Sequence, residues 1–129
     1  YVTEWFLEVQ NKLGIYIPWV GSDGWSADYW VEEMAGYFGK ESMEKVIQGK
    51  YTLSGPMQRL EADIKKKYVN YNNNPIDKWC LSNTSVDVDK NGNIQPIKVK
   101  SRKRIDGTAA LLNAYVALER HKNDYSNMI

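Results

Sequence analysis

Apolar positions open the chain at helical spacing. Val2, Trp5, Phe6, Val9 and Leu13 stand at i, i+3, i+4, i+7 and i+11, which predicts an amphipathic helix ended by Gly14. Residues 15–21 (IYIPWVG) form a short apolar run of buried-strand type, with Pro18 arguing against a central position. Asp23-Gly24 breaks the run, and a second helix is predicted from near Ser26. Its core stripe is Ala27, Trp30, Val31, Met34 and Phe38, and Gly39 stops it. Residues 43–48 (MEKVIQ) suit a second short strand. Leu53, Met57, Leu60 and Ile64 then share one helical face, with Ser54-Gly55-Pro56 near its start. The order helix, strand, helix, strand, helix predicts an α/β fold with a parallel sheet and right-handed crossovers.

The rhythm changes after Asn72–Asn74. Pro75 opens a short helix through Trp79, and residues 84–99 (TSVDVDKNGNIQPIKV) read as a hairpin. Val86 and Val88 alternate with Asp87 and Asp89, Asn91-Gly92 is a strong turn signal, and Ile94, Ile97 and Val99 lie on the return strand. Pro96 places that strand at an edge or bulge. A last long helix is predicted from Asp106-Gly107, with Ile105, Ala109, Leu112 and Val116 at helical spacing. Two parallel strands and a hairpin are few for so many helices, and a helix begins at once after Tyr1. The chain therefore reads as part of something longer, its first strands expected before Tyr1.

Composition narrows the class. At 129 residues, 43% hydrophobic and 26% charged, the chain suits one globular domain able to bury a core without disulfides. No apolar run approaches the ~18 residues of a membrane span, and no signal-peptide pattern opens the chain. A single cysteine, Cys80, favours a reducing compartment, hence a cytoplasmic location and no membrane partner. The formal net charge of +1 conceals an asymmetry. Residues 1–49 hold three Lys/Arg against eight Asp/Glu, and residues 50–129 hold fourteen against eight. Cations late and carboxylates early suit either two solvated faces or a polyanion-handling surface with an acidic pocket.

The candidate chemistry is carboxylate chemistry. Asp23 follows the first predicted strand, where α/β proteins place ligands and catalytic groups, although helix capping explains an Asp there equally simply. Asp106 opens the last helix, where the dipole alone favours an acid. Gly107 beside it leaves room for a metal or a phosphate. Two such carboxylates at one sheet edge would suit Mg²⁺ or Mn²⁺, though they are a thin set for a two-metal phosphodiesterase. Lys98, Lys100, Arg102, Lys103 and Arg104 form a basic run leading to Asp106, either a phosphate guide or a solvated loop. Lys65-Lys66-Lys67 suits a helix C-terminus. Trp5 and Trp30 fall on core stripes, while His121 and Cys80 stand without metal-ligand spacing. No G-x-x-x-x-G-K-[ST] loop is present.

These pieces, in order, resemble the C-terminal nuclease part of the large terminase subunit of tailed phages and prophages. The resemblance runs over nearly the whole chain. It rests on residues 20–27 (VGSDGWSA), Val46-Ile47-Gln48-Gly49, Thr52-Leu53-Ser54 and Pro56-Met57. It continues through Tyr71-Asn72-Asn73-Asn74-Pro75, Trp79, Asn83, the turn Asn91-Gly92-Asn93-Ile94 and Pro96. Lys100-Ser101-Arg102, Arg104-Ile105-Asp106-Gly107 and Ala110-Leu111 complete it.

The resemblance implies a ribonuclease-H-like fold, here a partial parallel sheet flanked by helices with a hairpin insertion at 84–99. It implies a metal-dependent endonuclease that cuts concatemeric double-stranded DNA during genome packaging, with Mg²⁺ or Mn²⁺ as cofactor. Asp23 matches the family's second acid and Asp106 the acid at its final helix. Both are therefore expected as metal ligands and catalytic residues, with the basic run as the DNA contact. The family's first acid, its opening strands and its ATP-binding packaging domain are expected outside residues 1–129, so the stretch alone is expected to cut poorly. Portal protein and small terminase subunit are the implied partners. A transposase or integrase core, or a non-catalytic DNA-binding module, remains as an alternative.

Overall fold

The computed structural model describes residues 1–24 and 27–128. The predicted start of the second helix at Ser26 lies outside those residues. Helix α1 (Val2–Leu13) is closed by Gly14, whose φ of 66° is the left-handed conformation that a glycine adopts without a Cβ penalty. Strand β1 (Val20–Ser22) leads to α2 (Asp28–Phe38), then to a 3₁₀ turn over Lys40–Ser42 and strand β2 (Met43–Lys45). Helix α3 (Lys50–Lys65), helix α4 (Pro75–Ser82), strands β3 (Thr84–Val88) and β4 (Ile94–Lys98), and helices α5 (Asp106–Arg120) and α6 (Lys122–Met128) complete the described elements.

Strands β1 and β2 pair in parallel with Val20 opposite Met43 and Ser22 opposite Lys45. The expected strand over 15–21 is thus paired only at its end. Pairing needs a partner, and β2 offers three residues, so Ile15 and Tyr16 stay exposed. Val46 N–H extends the ladder to the Ser22 carbonyl (2.7 Å) and sends its side chain, fully buried, into the core.

That core joins Val46 to Leu53 and Leu60 of α3 and Leu112 and Val116 of α5, with Met57, Leu111 and Tyr115 at its margin. Helix α3 begins earlier than its glycine and proline suggest, so Pro56 lies inside it. Its first turns are held from outside: Lys50 Nζ pairs with Asp87 (2.8 Å), and Ser54 Oγ accepts from the Ile94 amide (3.1 Å). Those bonds dock the hairpin on α3 and offset the helical hydrogen bond that proline removes.

The hairpin lies where the alternation predicts, with Val86 opposite Pro96 and Val88 opposite Ile94. Its turn is not the two-residue kind that Asn-Gly most often makes. Gly92 N–H donates to the Asp89 carbonyl (3.1 Å) and Asp89 N–H to the Asn93 carbonyl (3.0 Å). Gly92 alone takes a positive φ, 80°, while Asn91 does not, which fits a type I turn closed by a glycine bulge. Asp89 Oδ1 accepts from the Asn91 and Asn93 amides, fixing the loop.

Helix α1 corrects the expected core assignment of Trp5. It packs on α2 through Phe6, which meets Trp30 and Phe38, and through buried Thr3, which donates to Glu33. Among the described residues that face carries the close contacts of α1 with α2. Val2, Trp5 and Leu13 remain 56%, 59% and 66% exposed. Trp30 is half-buried, and Met34 is fully buried. The long last helix is also two, broken at His121.

Candidate functional site

Strand β1 lies close against α5 because Gly21 has no side chain. A Cβ there would sit 2.6 Å from the Asn113 carbonyl oxygen and 3.1 Å from Val46 Cγ2. The same small-on-small contact leaves a cavity of about 630 Å³ beside the strand, lined on α5 by Ala109, Ala110, Asn113, Ala114 and Ala117. Phe6, Trp19 and Trp30 form apolar walls, and both Asp23 and Asp106 line it. Both carboxylate residues are exposed, so they stand where solvent reaches the cavity. Residues 83 positions apart in sequence thereby line one cavity.

Neither aspartate is a helix N-cap. Ala27 is the N-cap residue of α2 and Ile105 that of α5, and among the described residues neither N-cap makes a side-chain cap bond. Asp106 lies in the first turn of α5, where its charge suits the dipole. Gly107 does not serve as open space beside the carboxylate. A Cβ on it would meet Cys80 Sγ at 3.2 Å and Asp77 Oδ1 at 3.5 Å, so its small size serves the packing of α4 on α5. Cys80 is buried in that contact, in keeping with a structural role.

Two exposed carboxylates on one cavity are of the donor type that suits Mg²⁺ or Mn²⁺, which bind through one or two carboxylates and complete their shells with water or phosphate oxygens. Among the described residues no group of three or more His, Cys, Asp or Glu is placed to hold a metal ion.

The basic run follows β4 directly. Lys98 ends the strand, and Lys100, Arg102, Lys103 and Arg104 occupy the loop that runs into Asp106, all exposed. Among the described residues none of the five forms a salt bridge within the range of an ion pair. By contrast Lys65, at the end of α3, pairs with Glu61 (2.7 Å).

Two residues make contacts that their sequence positions did not announce. Asn83, buried, accepts from the Val99 amide on its carbonyl (2.8 Å) and donates from Nδ2 to the Arg104 carbonyl (3.0 Å). Its place after a short helix, as the C-terminal cap of α4, carries no signal of that reach. His121 is not isolated. Its Nε2 bonds Glu44, its Nδ1 lies 3.3 Å from Asp124, and its ring stacks on Trp19 with centroids 3.9 Å apart. The Glu44 bond outweighs the cost of partial burial and, with Asp124, holds the imidazole pKa above its ordinary range. Glu44 is 77 residues away, beyond any local pattern.

The terminase large subunit endonuclease domain model matches residues 10–122. Protein YmfN of Escherichia coli (strain K12) is 36% identical over 72 residues, covering 54% of this chain and 16% of that protein. The crystal structure of the HK97 bacteriophage large terminase matches with a TM-score of 0.74 at 22% identity, covering 90% of this chain and 24% of that one. The fold is accordingly ribonuclease-H-like, and the chain spans a quarter or less of these relatives. Among the described residues no helix is long and apolar enough to cross a membrane.

Proposed function

Because the chain belongs to the endonuclease domain family of the terminase large subunit, we propose that it is the DNA-cutting part of a viral packaging motor and that Asp23 and Asp106 are its metal-binding carboxylates. The observation that carries this reading is the shared cavity: two exposed acids from opposite ends of the chain line it, and one stands two residues beyond a loop of unpaired cations. Duplex DNA presents phosphates at close, regular spacing, and Lys98, Lys100, Arg102, Lys103 and Arg104 supply charges to neutralise them. Asp23 and Asp106 would hold Mg²⁺ or Mn²⁺, which when bound supplies Lewis acidity and an activated water for phosphodiester hydrolysis. The chain's own contribution is to fix the two carboxylates on a rigid strand end and helix start, with the phosphate-binding loop leading into the second.

In the same reading the substrate is concatemeric double-stranded DNA. The ATP-binding motor lies in another part of the protein, the portal and small terminase subunit are partners, and the work is done in the bacterial cytoplasm. Residues 1–129 alone cut weakly, since two carboxylates are fewer ligands than a two-metal site uses. The test is plasmid cleavage with Mn²⁺ by the full-length protein and its Asp23→Ala and Asp106→Ala variants, with folding followed by circular dichroism. Loss of cutting in both with the fold retained is expected. Undiminished cutting in either removes that aspartate from the site. Salt-dependent DNA binding with no response to divalent ions would leave a non-catalytic DNA-binding module instead.

A further inference from the structure

The basic loop presents a physical difficulty. Four cations, Lys100, Arg102, Lys103 and Arg104, stand within five consecutive residues, exposed, with no carboxylate paired to any of them among the described residues. Like charges so close repel one another and favour an open, extended loop. The loop is nonetheless compact: Lys103 N–H donates to the Lys100 carbonyl (2.9 Å), a tight turn. What closes it is one residue. Asn83 takes the Val99 amide at the loop's entry on its carbonyl (2.8 Å) and the Arg104 carbonyl at the loop's exit on its side-chain amide (3.0 Å).

Asn83 is 5% exposed and is itself held, its N–H donating to the Trp79 and Cys80 carbonyls at the end of α4. The next residue ties the same point to the helix that carries Asp106: Thr84 Oγ1 lies 3.0 Å from Thr108 Oγ1. Both are shielded from solvent competition, Thr108 being buried and Thr84 half-buried. Entry, exit and helix start are therefore pinned at one place.

We infer that Asn83 is a positioning residue that holds the 99–104 loop closed against the repulsion of its own cations, so that a nucleic-acid phosphate backbone meets a preformed basic arc beside Asp106. The inference rests on the DNA-cutting reading above for its ligand. Its structural half stands on the free protein. A loop already closed does not spend binding free energy on ordering four charged side chains' backbone.

The test compares the full-length protein with Asn83→Ala and Asn83→Leu, which keeps the side chain's size, adds no charge and removes its donor. Two readouts are taken without divalent ions: amide hydrogen exchange, and duplex-DNA affinity by fluorescence anisotropy over a range of salt. Exchange at the Val99 and Lys103 amides, the hydrogen-bonded ones of the loop, is expected to rise about fivefold, the factor one ordinary hydrogen bond commands, while α5 amides stay protected. Affinity is expected to fall several-fold with the salt slope kept, because no phosphate-binding charge has been removed; deleting one of the cations would instead lower the slope by about 0.9. Unchanged loop exchange in a folded variant overturns the clamp, and so does faster exchange with affinity unmoved. If Asn83→Ala fails to fold, Asn83→Leu gives the same readings. A wild-type protein that binds no DNA at low salt sinks the DNA-cutting reading and the proposed ligand with it. Failure of the clamp alone is distinct, leaving wild-type DNA binding intact and loop exchange indifferent to residue 83.

Discussion

Replacing Gly21 by alanine is the sharpest probe of how β1 is seated. The added Cβ would approach the Asn113 carbonyl oxygen to 2.6 Å and its carbon to 3.1 Å. Both are backbone atoms in the middle of α5, so no side-chain rotation relieves the contact. Either β1 moves off the helix by several tenths of an ångström or the strain stays in place. Overpacking of this kind costs about 1–3 kcal/mol, and a backbone obstacle argues for the upper half, about 2–3 kcal/mol. Gly36→Ala is the control. It lies inside α2, is exposed, and a Cβ there meets nothing within 4 Å. Loss of glycine's unfolded-state freedom should then stabilise the protein by about 0.5–1 kcal/mol. Urea titration followed by circular dichroism reads both, and the opposite signs guard against a generic effect of substitution. A Gly21→Ala variant within about 0.5 kcal/mol of wild type would refute the close approach of β1 to α5, and with it the basis for placing Asp23 over the cavity.

Leu112 is fully buried at the centre of the core, so Leu112→Ala should cost about 2–5 kcal/mol in the same titration. Asn74 caps α4, accepting from the Ile76 amide at 2.9 Å, and Asn74→Ala should cost about 1 kcal/mol. A loss below a few tenths in either case would contradict the assigned contact. His121 is the one histidine among residues 1–129, so its imidazole NMR titration in that stretch is unambiguous. Its pKa is raised by Glu44, so its stabilisation is fully present below the unfolded value of about 6.5 and is lost as pH rises through the folded value. Glu44→Gln should therefore lower the melting temperature more near pH 6 than near pH 9, and an unshifted imidazole would refute the pairing.

The local layer of this fold was legible. Gly14, Gly39 and Asn74-Pro75 each end or begin a helix where the apolar periodicity stops, because those signals act within one turn of the chain. The hairpin followed for the same reason, although Asn91-Gly92 sits in a longer loop than the pair alone suggests. What failed depends on partners distant in sequence. Residues 15–19 are as apolar as a strand, yet strand length is set by β2. Trp5 lies on a sound helical stripe, yet among the described residues it stays 59% exposed while Thr3 and Phe6 meet α2. Gly107 is small for Cys80's sake rather than for a ligand's. His121 interrupts the last helix in a setting of Trp19 and Glu44, neither of them near it in sequence.

Helix α5 shows why core and candidate site are hard to separate by pattern. Leu112 and Val116, four residues apart, turn to α3 and fill the core. Asp106, Ala110, Asn113 and Ala117 fall at i, i+4, i+7 and i+11, and all four line the cavity. The first stripe is what a sequence reading sees, since large apolar side chains carry the periodic signal. The second is nearly silent, being an acid followed by alanines and an amide, yet its smallness lets β1 approach until only glycine fits at position 21. A bulky residue on that stripe would restore a conventional amphipathic helix and move the strand end bearing Asp23 away from Asp106. The weakly patterned face of the helix thus positions the two carboxylates, while the strongly patterned face supplies the stability that holds it there.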